Sequence, residues 1–441
     1  MKFPLLAKMA GLAAVVIALV IALDAVSGIV RERQARLQEA QVSVANSLAA
    51  PQQLVGPMLQ RRCEETWSVV VGEGKERRTV DERRDFTLAA TPKSLEIDAR
   101  ASLEPRYRGI FRVNGYALKA NLTAQWPDPS ALRPKAEHVG SRLSCDAPTL
   151  LVAVGDARGL RHVALRVQGE PIDVQPGTPR KRLPQGFQAP LPAALVDAAA
   201  PIKAELQLEL VGTGSLAIAP VGDSTRVLLA SDWPHPSFDG RFLPNEREVG
   251  PQGFQARWQL SALATSAPRD LLADAERIES FGVAFIDPVN PYVLSDRATK
   301  YGLLFVLLTF VGVGLVEVLR RLRVHPIQYL LVGCALAVFF LLLVSLTEHI
   351  AFGMAYLAAA GACTLLLAFY GSFVLRGLRA GALFGAAIAA LYGALYLLLQ
   401  LEQNALVLGS LLLFAVLAAV MVATRRLDWY ALVAQLREAG R

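Results

Sequence analysis

Charge is scarce in this chain. Asp, Glu, Lys and Arg make up 19% of its 441 residues, against about 25% in a soluble domain. There are four cysteines and five histidines, too few for a disulfide-dense scaffold or a metal array. HExxH, GxSxG, Walker and CxxC patterns are all absent, so none of the common catalytic signatures directs the reading. The chain does carry 53% hydrophobic residues and a mean hydropathy of +0.37. Those values exclude a disordered chain and a collagen-like repeat and point to a membrane.

The net charge of +7 would suit a nucleic-acid binder only if the excess formed a patch. It does not. Residues 24–300 hold 34 basic and 33 acidic side chains, and the surplus lies in and beside apolar runs at the two ends of the chain. That distribution excludes a phosphate-binding face and fits membrane orientation.

Five apolar runs are long enough to cross about 30 Å of hydrocarbon: Tyr301–Leu319, Ile327–Thr347, Ile350–Leu375, Ala380–Leu401 and Ala405–Thr424. A sixth, Phe3–Leu23, is interrupted by Lys8, which can snorkel to the interface. Arg320, Arg321 and Arg323 occupy one short connection, Arg376 and Arg379 another, and Arg425 and Arg426 follow the last run; the alternate connections, Glu348–His349 and 402–404, hold no basic residue. Basic residues stay on the cytoplasmic side. The pattern therefore predicts six spans with both termini cytoplasmic and residues 24–300 outside. Lys2, Lys8, the apolar core Met9–Leu23 and small residues near Ala25–Ser27 also match a secretory signal, so anchor and cleaved signal both stand at this stage.

The expected domains are an anchor at 1–23, a helical stalk at 24–50, a β-rich periplasmic domain at 51–300, a five-helix bundle at 301–424 and a cytoplasmic tail at 425–441. Val30–Ala49 is rich in helix formers with no early breaker. After Pro51 alternation takes over, with strands expected at Thr66–Val71, Thr79–Leu88, Ser94–Leu103, Ile110–Trp126, Thr149–Val154, His162–Val167, Ala204–Val211, Thr225–Leu229, Phe254–Leu260 and Phe281–Ile286. Asn114–Gly115 offers a hairpin turn. The fold class is a polytopic α-helical membrane protein of six spans carrying a large, sandwich-like β-rich domain between spans 1 and 2. An antiparallel sandwich or an open barrel fits the domain, and strand order is not derivable. Cys63 and Cys145 fall in this domain, where a disulfide and two buried thiols are both open; Cys334 and Cys363 lie in apolar spans as packing residues.

Candidate chemistry is thin. Ser295 and Lys300 form a nominal Ser/Lys pair, but a lysine just before a span serves lipid headgroups. Asp232, His235 and Asp239 are close enough for metal ligation, in a Pro-rich loop whose polar residues more often cap turns. No metal, cofactor or catalytic residue is assigned, and an enzyme is not expected. Glu348–His349 reads as a solvated turn, and Glu317 as an interfacial partner of Arg320. Gly381, Gly385, Ala389 and Gly393 recur every four residues and predict a helix contact, within the bundle or between copies.

Several segments together resemble the CreD family of bacterial inner-membrane proteins, also called cell envelope integrity proteins. They are Gln53–Leu59 (QLVGPML), Arg108–Phe111 (RGIF), Gly155–Leu160 (GDARGL), Ser231–Pro244, Phe254–Trp258 (FQARW), Leu322–Gly333 (LRVHPIQYLLVG) and Ser345–Phe352 (SLTEHIAF). The resemblance implies an inner-membrane location, a periplasmic domain and a role in envelope integrity and the response to envelope stress, β-lactams included. It carries no catalytic residues. The leading expectation is a protein whose outer domain binds an envelope component or a membrane-protein partner, through a contact loop with Trp233, His235, Phe238 and Phe242. His325, Glu348 and His349 mark a candidate membrane-interface motif. The alternatives are a sensor passing periplasmic state to a cytoplasmic partner through residues 320–325, and a transporter or lipid flippase. The bilayer is the one partner that every version requires; nucleic acid is not among the partners.

Overall fold

A computed structural model describes residues 4–71, 78–287, 291–319, 322, 324–400 and 405–425. The chain divides into two compact units, one formed by Met1–Leu37 with Val289–Arg441, the other by Gln38–Pro288. The boundary expected at Lys300 thus falls at Pro288, and the stalk is shared. Helix α1 (Pro4–Ser47) is continuous for 44 residues, about 66 Å at 1.5 Å per residue. Its apolar first half passes without a breaker into Arg, Gln, Glu and Ala.

The Gln38–Pro288 unit contains two sheets, of nine and eight strands among the described residues. Their inner faces share one core, a sandwich arrangement. The nine-stranded sheet is organised by a 20-residue strand, Gln52–Val71. Residues 52–54 pair in parallel with 216–218, residues 55–60 antiparallel with 149–153, and residues 59–71 antiparallel with 78–90. In the eight-stranded sheet, Ser94–Arg108 and Phe111–Trp126 form a hairpin, flanked by Ile202–Thr213 on one side and by Ser224–Ser231 on the other. The period-two run of Ile202–Thr213 buries Ile202, Ala204, Leu206, Leu208 and Leu210 and turns Lys203, Glu205 and Gln207 outward, as a half-buried strand must. Trp126, Trp258, Tyr116 and Phe281 are the largest fully buried side chains of this core. Two short helices, α2 (Ala194–Asp197) and α3 (Ala267–Leu272), complete the unit.

Two expectations need correction. The sandwich is not wholly antiparallel: 224–231 runs parallel to 94–101, and the chain between them builds strands of both sheets, as a parallel pairing requires a long crossover. Asn114–Gly115 is not the hairpin turn. The chain reverses at Gly109–Ile110, with Gly109 at φ +58°, while Gly115 pairs with Thr213 and Asn114 donates to the Phe285 carbonyl at 3.0 Å.

In the helical unit, α4 (Pro291–Lys300) is followed by α5 (Gly302–Leu319), α6 (Pro326–Thr347), α7 (Phe352–Val374), α8 (Leu378–Gln400) and α9 (Ala405–Thr424). By length and apolarity α1, α6, α7 and α8 can cross a membrane, and the α4–α5 pair, bent by 43°, counts as a fifth span when taken as one. The span expected to start at Tyr301 therefore has a helical lead-in, and polar α4 ends where the apolar run begins. The basic connection Arg320, Arg321 and Arg323, the expected 402–404 connection, Arg426 and the rest of the tail lie outside the described residues. Phe305, Phe339, Tyr356 and Tyr392 stack at the centre of the bundle, with Phe339 and Tyr392 centroids 4.4 Å apart. The small-residue ridge is used only in part. A Cβ on Gly381 or Gly385 would press on Ser372 or Ala368 of α7 at 2.6 and 2.5 Å, whereas Ala389 and Gly393 are exposed.

Candidate functional site

Four of the characteristic segments, Arg108–Phe111, Gly155–Leu160, Leu322–Gly333 and Ser345–Phe352, contact helix α1. Within the β-rich unit they hold its C-terminal end. A helix leaves its last four carbonyls without internal partners, and here Arg158 donates to the Asn46 carbonyl and Thr213 to the Ala49 carbonyl just beyond. Asp156 orients that guanidinium through Nε at 3.0 Å and Nη2 at 2.6 Å, and accepts the Ala50 N–H at 2.9 Å. The Arg158 hydrogen bond, outweighing burial, holds the Asp156 carboxyl down at about 2. Gln52 closes the network, donating to the Asp156 and Val211 carbonyls and accepting the Asp156 N–H. Gly155 and Gly159 bracket the motif because a Cβ on the first would lie 2.8 Å from the Pro51 carbonyl, and on the second would collide with the Val211 carbonyl. Lower on the same helix, Arg108 donates to Ser43 and Ser47 Oγ at 3.2 and 2.8 Å, while Phe111 and Val113 pack on Ala40 and Val44.

Within the helical unit, α1 is held at two further points. Lys8 pairs with Glu317, whose carboxylate also accepts the Tyr329 hydroxyl at 2.9 Å and the Val324 N–H at 3.1 Å. The interfacial ion pair expected of Glu317 is made with Lys8; Arg320 lies outside the described residues. Arg33 Nε lies 3.0 Å from Glu348 Oε1, and Gln34 donates to the Tyr292 carbonyl. The Glu348 side chain is only 12% exposed, so the 348–349 turn is not simply solvated. Its acid is engaged, while His349 is exposed. Between these points Leu19 fits against Gly333, where a Cβ would collide with it. His325 begins α6, its Nδ1 accepting the Ile327 N–H and its own N–H donating to Gln328, a reciprocal cap.

The remaining candidates do not converge on one centre. Trp233 is buried, its Nε1 donating to the His235 carbonyl. Phe238 packs edge-on against Phe254 and Trp258, and Phe242 lies against the same core. Three of the four expected contact-loop residues therefore pack on the core, Phe238 from a strand, Pro236–Gly240, paired with Phe281–Phe285; His235 alone is exposed. Asp232 accepts the Leu103 N–H, and among the described residues no group of three or more His, Cys, Asp or Glu could hold a metal. Lys300 pairs with Asp296 at 2.7 Å and Ser295 is fully buried, so no Ser/Lys pair forms.

Cys63 and Cys145 face each other across adjacent strands and are joined by a disulfide; Cys334 and Cys363 are free. Two residues on, fully buried Glu65 accepts from the Glu137 and His138 N–H groups and the Ser141 hydroxyl, at 2.9, 3.0 and 2.7 Å. These donors, Ser141 first, lower its pKa. Sequence reading missed Glu65, since its donors lie some 70 residues downstream. On the other face of this sheet Arg62, Glu64, Arg83, Asp85, Thr87, Ser144 and Asp146 line a polar concavity.

These features define a class: a helical membrane protein whose first helix runs on into a large β-rich domain placed between it and the later helices. The family model described as inner membrane protein CreD matches residues 4–430. Over 436 residues, 98% of this chain and 95% of the relative, the sequence is 35% identical to the inner membrane protein CreD of Escherichia coli (strain K12). The chain belongs to the CreD family, and it is an inner-membrane protein with several membrane-spanning helices.

Proposed function

We propose that this protein supports cell envelope integrity and the response to envelope stress, including β-lactam stress, by binding an envelope component through its β-rich unit. In this reading the chain spans the membrane six times with both termini cytoplasmic, residues 24–300 face the periplasm, and no reaction is catalysed. The observation that carries it is the polar concavity beside the Cys63–Cys145 disulfide. A disulfide suits an oxidising compartment, and the concavity groups charges of both signs with two hydroxyls. Arg83 there is already neutralised by Asp85 and Glu64, at 2.8 and 3.3 Å, which leaves Arg62 and Asp146 as the groups a ligand would meet. The test is complementation of a deletion strain with full-length protein carrying Arg62→Ala and Asp146→Ala, scored by survival under β-lactam and detergent stress. Loss of rescue by a stably inserted variant supports the reading; full rescue refutes it.

A second reading, a sensor that passes the state of the β-rich unit to a cytoplasmic partner, is favoured by the continuity of α1. One helix is paired with Glu317 at its start and held by Arg158 at its end. Loss of stress signalling in Lys8→Gln, with the Arg62/Asp146 variant still rescuing, would favour the sensor.

A further inference from the structure

Between α5, α6, α7 and α8 lies a narrow, partly open cleft with a cavity volume of about 20 Å³. Val313, Val316, Gln328, Val332, Val374 and Phe384 supply most of its wall, and no charged side chain does. Water is not held in such a place, because a buried water needs two or more polar partners, and an unfilled space forfeits dispersion contacts. In a membrane the occupant at hand is hydrocarbon.

The rim gives that hydrocarbon a headgroup. Leu375 of the wall is followed at once by Arg376, and Arg379 stands in the first turn of α8; both are exposed. Every described acid of the helical unit is already engaged: Asp24 by Arg31, Glu32 by Arg36, Asp296 by Lys300, Glu317 by Lys8 and Glu348 by Arg33. Among the described residues no carboxylate is left for Arg376 or Arg379. Guanidinium groups match phosphate oxygens in a planar fork, and basic clefts between spans recognise anionic lipids. We propose that this cleft and its arginine rim bind an anionic phospholipid, one acyl chain lying along the valine wall and the phosphate held by Arg376 and Arg379.

Native mass spectrometry of the full-length protein in detergent, with equimolar phosphatidylglycerol and phosphatidylcholine as probes, tests the site. Wild type is expected to retain phosphatidylglycerol preferentially, each arginine contributing about fivefold. Arg376→Gln with Arg379→Gln should abolish the preference, and Arg425→Gln, on another connection, should leave it intact. Val316→Phe, which fills the cleft, should reduce retention even with both arginines present. Equal retention of the two lipids by wild type would overturn the proposal, as would a preference that survives the double arginine change or is lost equally in Arg425→Gln. Unchanged retention in Val316→Phe would also overturn it. A dimeric species abolished by Val316→Phe would assign the cleft to a second copy of the chain instead. The arginine variants lie at exposed positions, so the test survives if Val316→Phe fails to fold.

Discussion

The two units hold the same helix by different physics. In the β-rich unit the end of α1 is gripped by a many-membered network in which Asp156, Arg158, Gln52 and Thr213 bond to one another and to backbone groups. In the helical unit the grip is two ion pairs, Lys8–Glu317, joined by the Tyr329 hydroxyl and the Val324 N–H, and Arg33–Glu348, separated by apolar packing around Leu19. A domain built of sheets has backbone ends and loops to spare for a polar network. Spanning helices satisfy their own backbone, and an ionisable group within them is costly unless paired. A network of buried, mutually hydrogen-bonded groups is worth more than the sum of its pairs, whereas a pair that reaches solvent contributes little.

That contrast can be broken experimentally, and the largest effects should fall in the β-rich unit. Trp258→Ala empties a fully buried site that packs on Phe238 and Phe281 and should cost about 3–5 kcal/mol. Dichroism on heating should show the near-ultraviolet transition of the β-rich unit moving down with the far-ultraviolet helical signal unchanged. Replacing Cys63 and Cys145 by Ser opens a bridge between residues 82 apart in sequence, worth up to about 4 kcal/mol in the chain-entropy account; the measurement is the urea midpoint of the same transition.

Asp156→Asn should cost on the order of 2 kcal/mol, read as earlier proteolysis near residues 46–52. Its pH dependence has a definite sign. The folded carboxyl is depressed to about 2, so its stabilisation is present above the ordinary aspartate range near pH 4 and lost as pH falls toward 2. In the Asn variant that acid-side loss should shrink. The smallest effect should be Glu348→Gln, about 1 kcal/mol or less for a partly exposed pair, seen as faster proteolysis around Arg33 with the β-rich transition unmoved. An Asp156→Asn loss no larger than that of Glu348→Gln would erase the distinction between network and pair.

Much of this was legible in the sequence where the signal is local. Apolar runs marked α1 and α6 to α8, because hydrocarbon imposes a length, and alternation in AELQLEL marked a half-buried strand to the residue. Asn114–Gly115 misled because the dipeptide favours a turn in isolation, yet alternation continues through it, and only pairing with Thr213 reveals a strand. The aromatic loop at Trp233–Phe242 misled in the same way: its composition suits a contact surface, and the neighbouring strand Phe281–Phe285 draws it into the core. GDARGL was visible as a family segment with no physical meaning until Asn46 and Ala50 stood beside it.

Several membrane-spanning helices, the β-rich insertion, the elements with clear periodicity and the family were readable from local pattern. These follow from solvent and backbone preferences that act within a few residues. Which side chains meet is a property of the folded chain. Lys8 finds Glu317 across 309 residues, and Ala50 finds Asp156 across 106. No local preference encodes such pairs, since each exists only after the chain has paid the entropy of closing the loop between them.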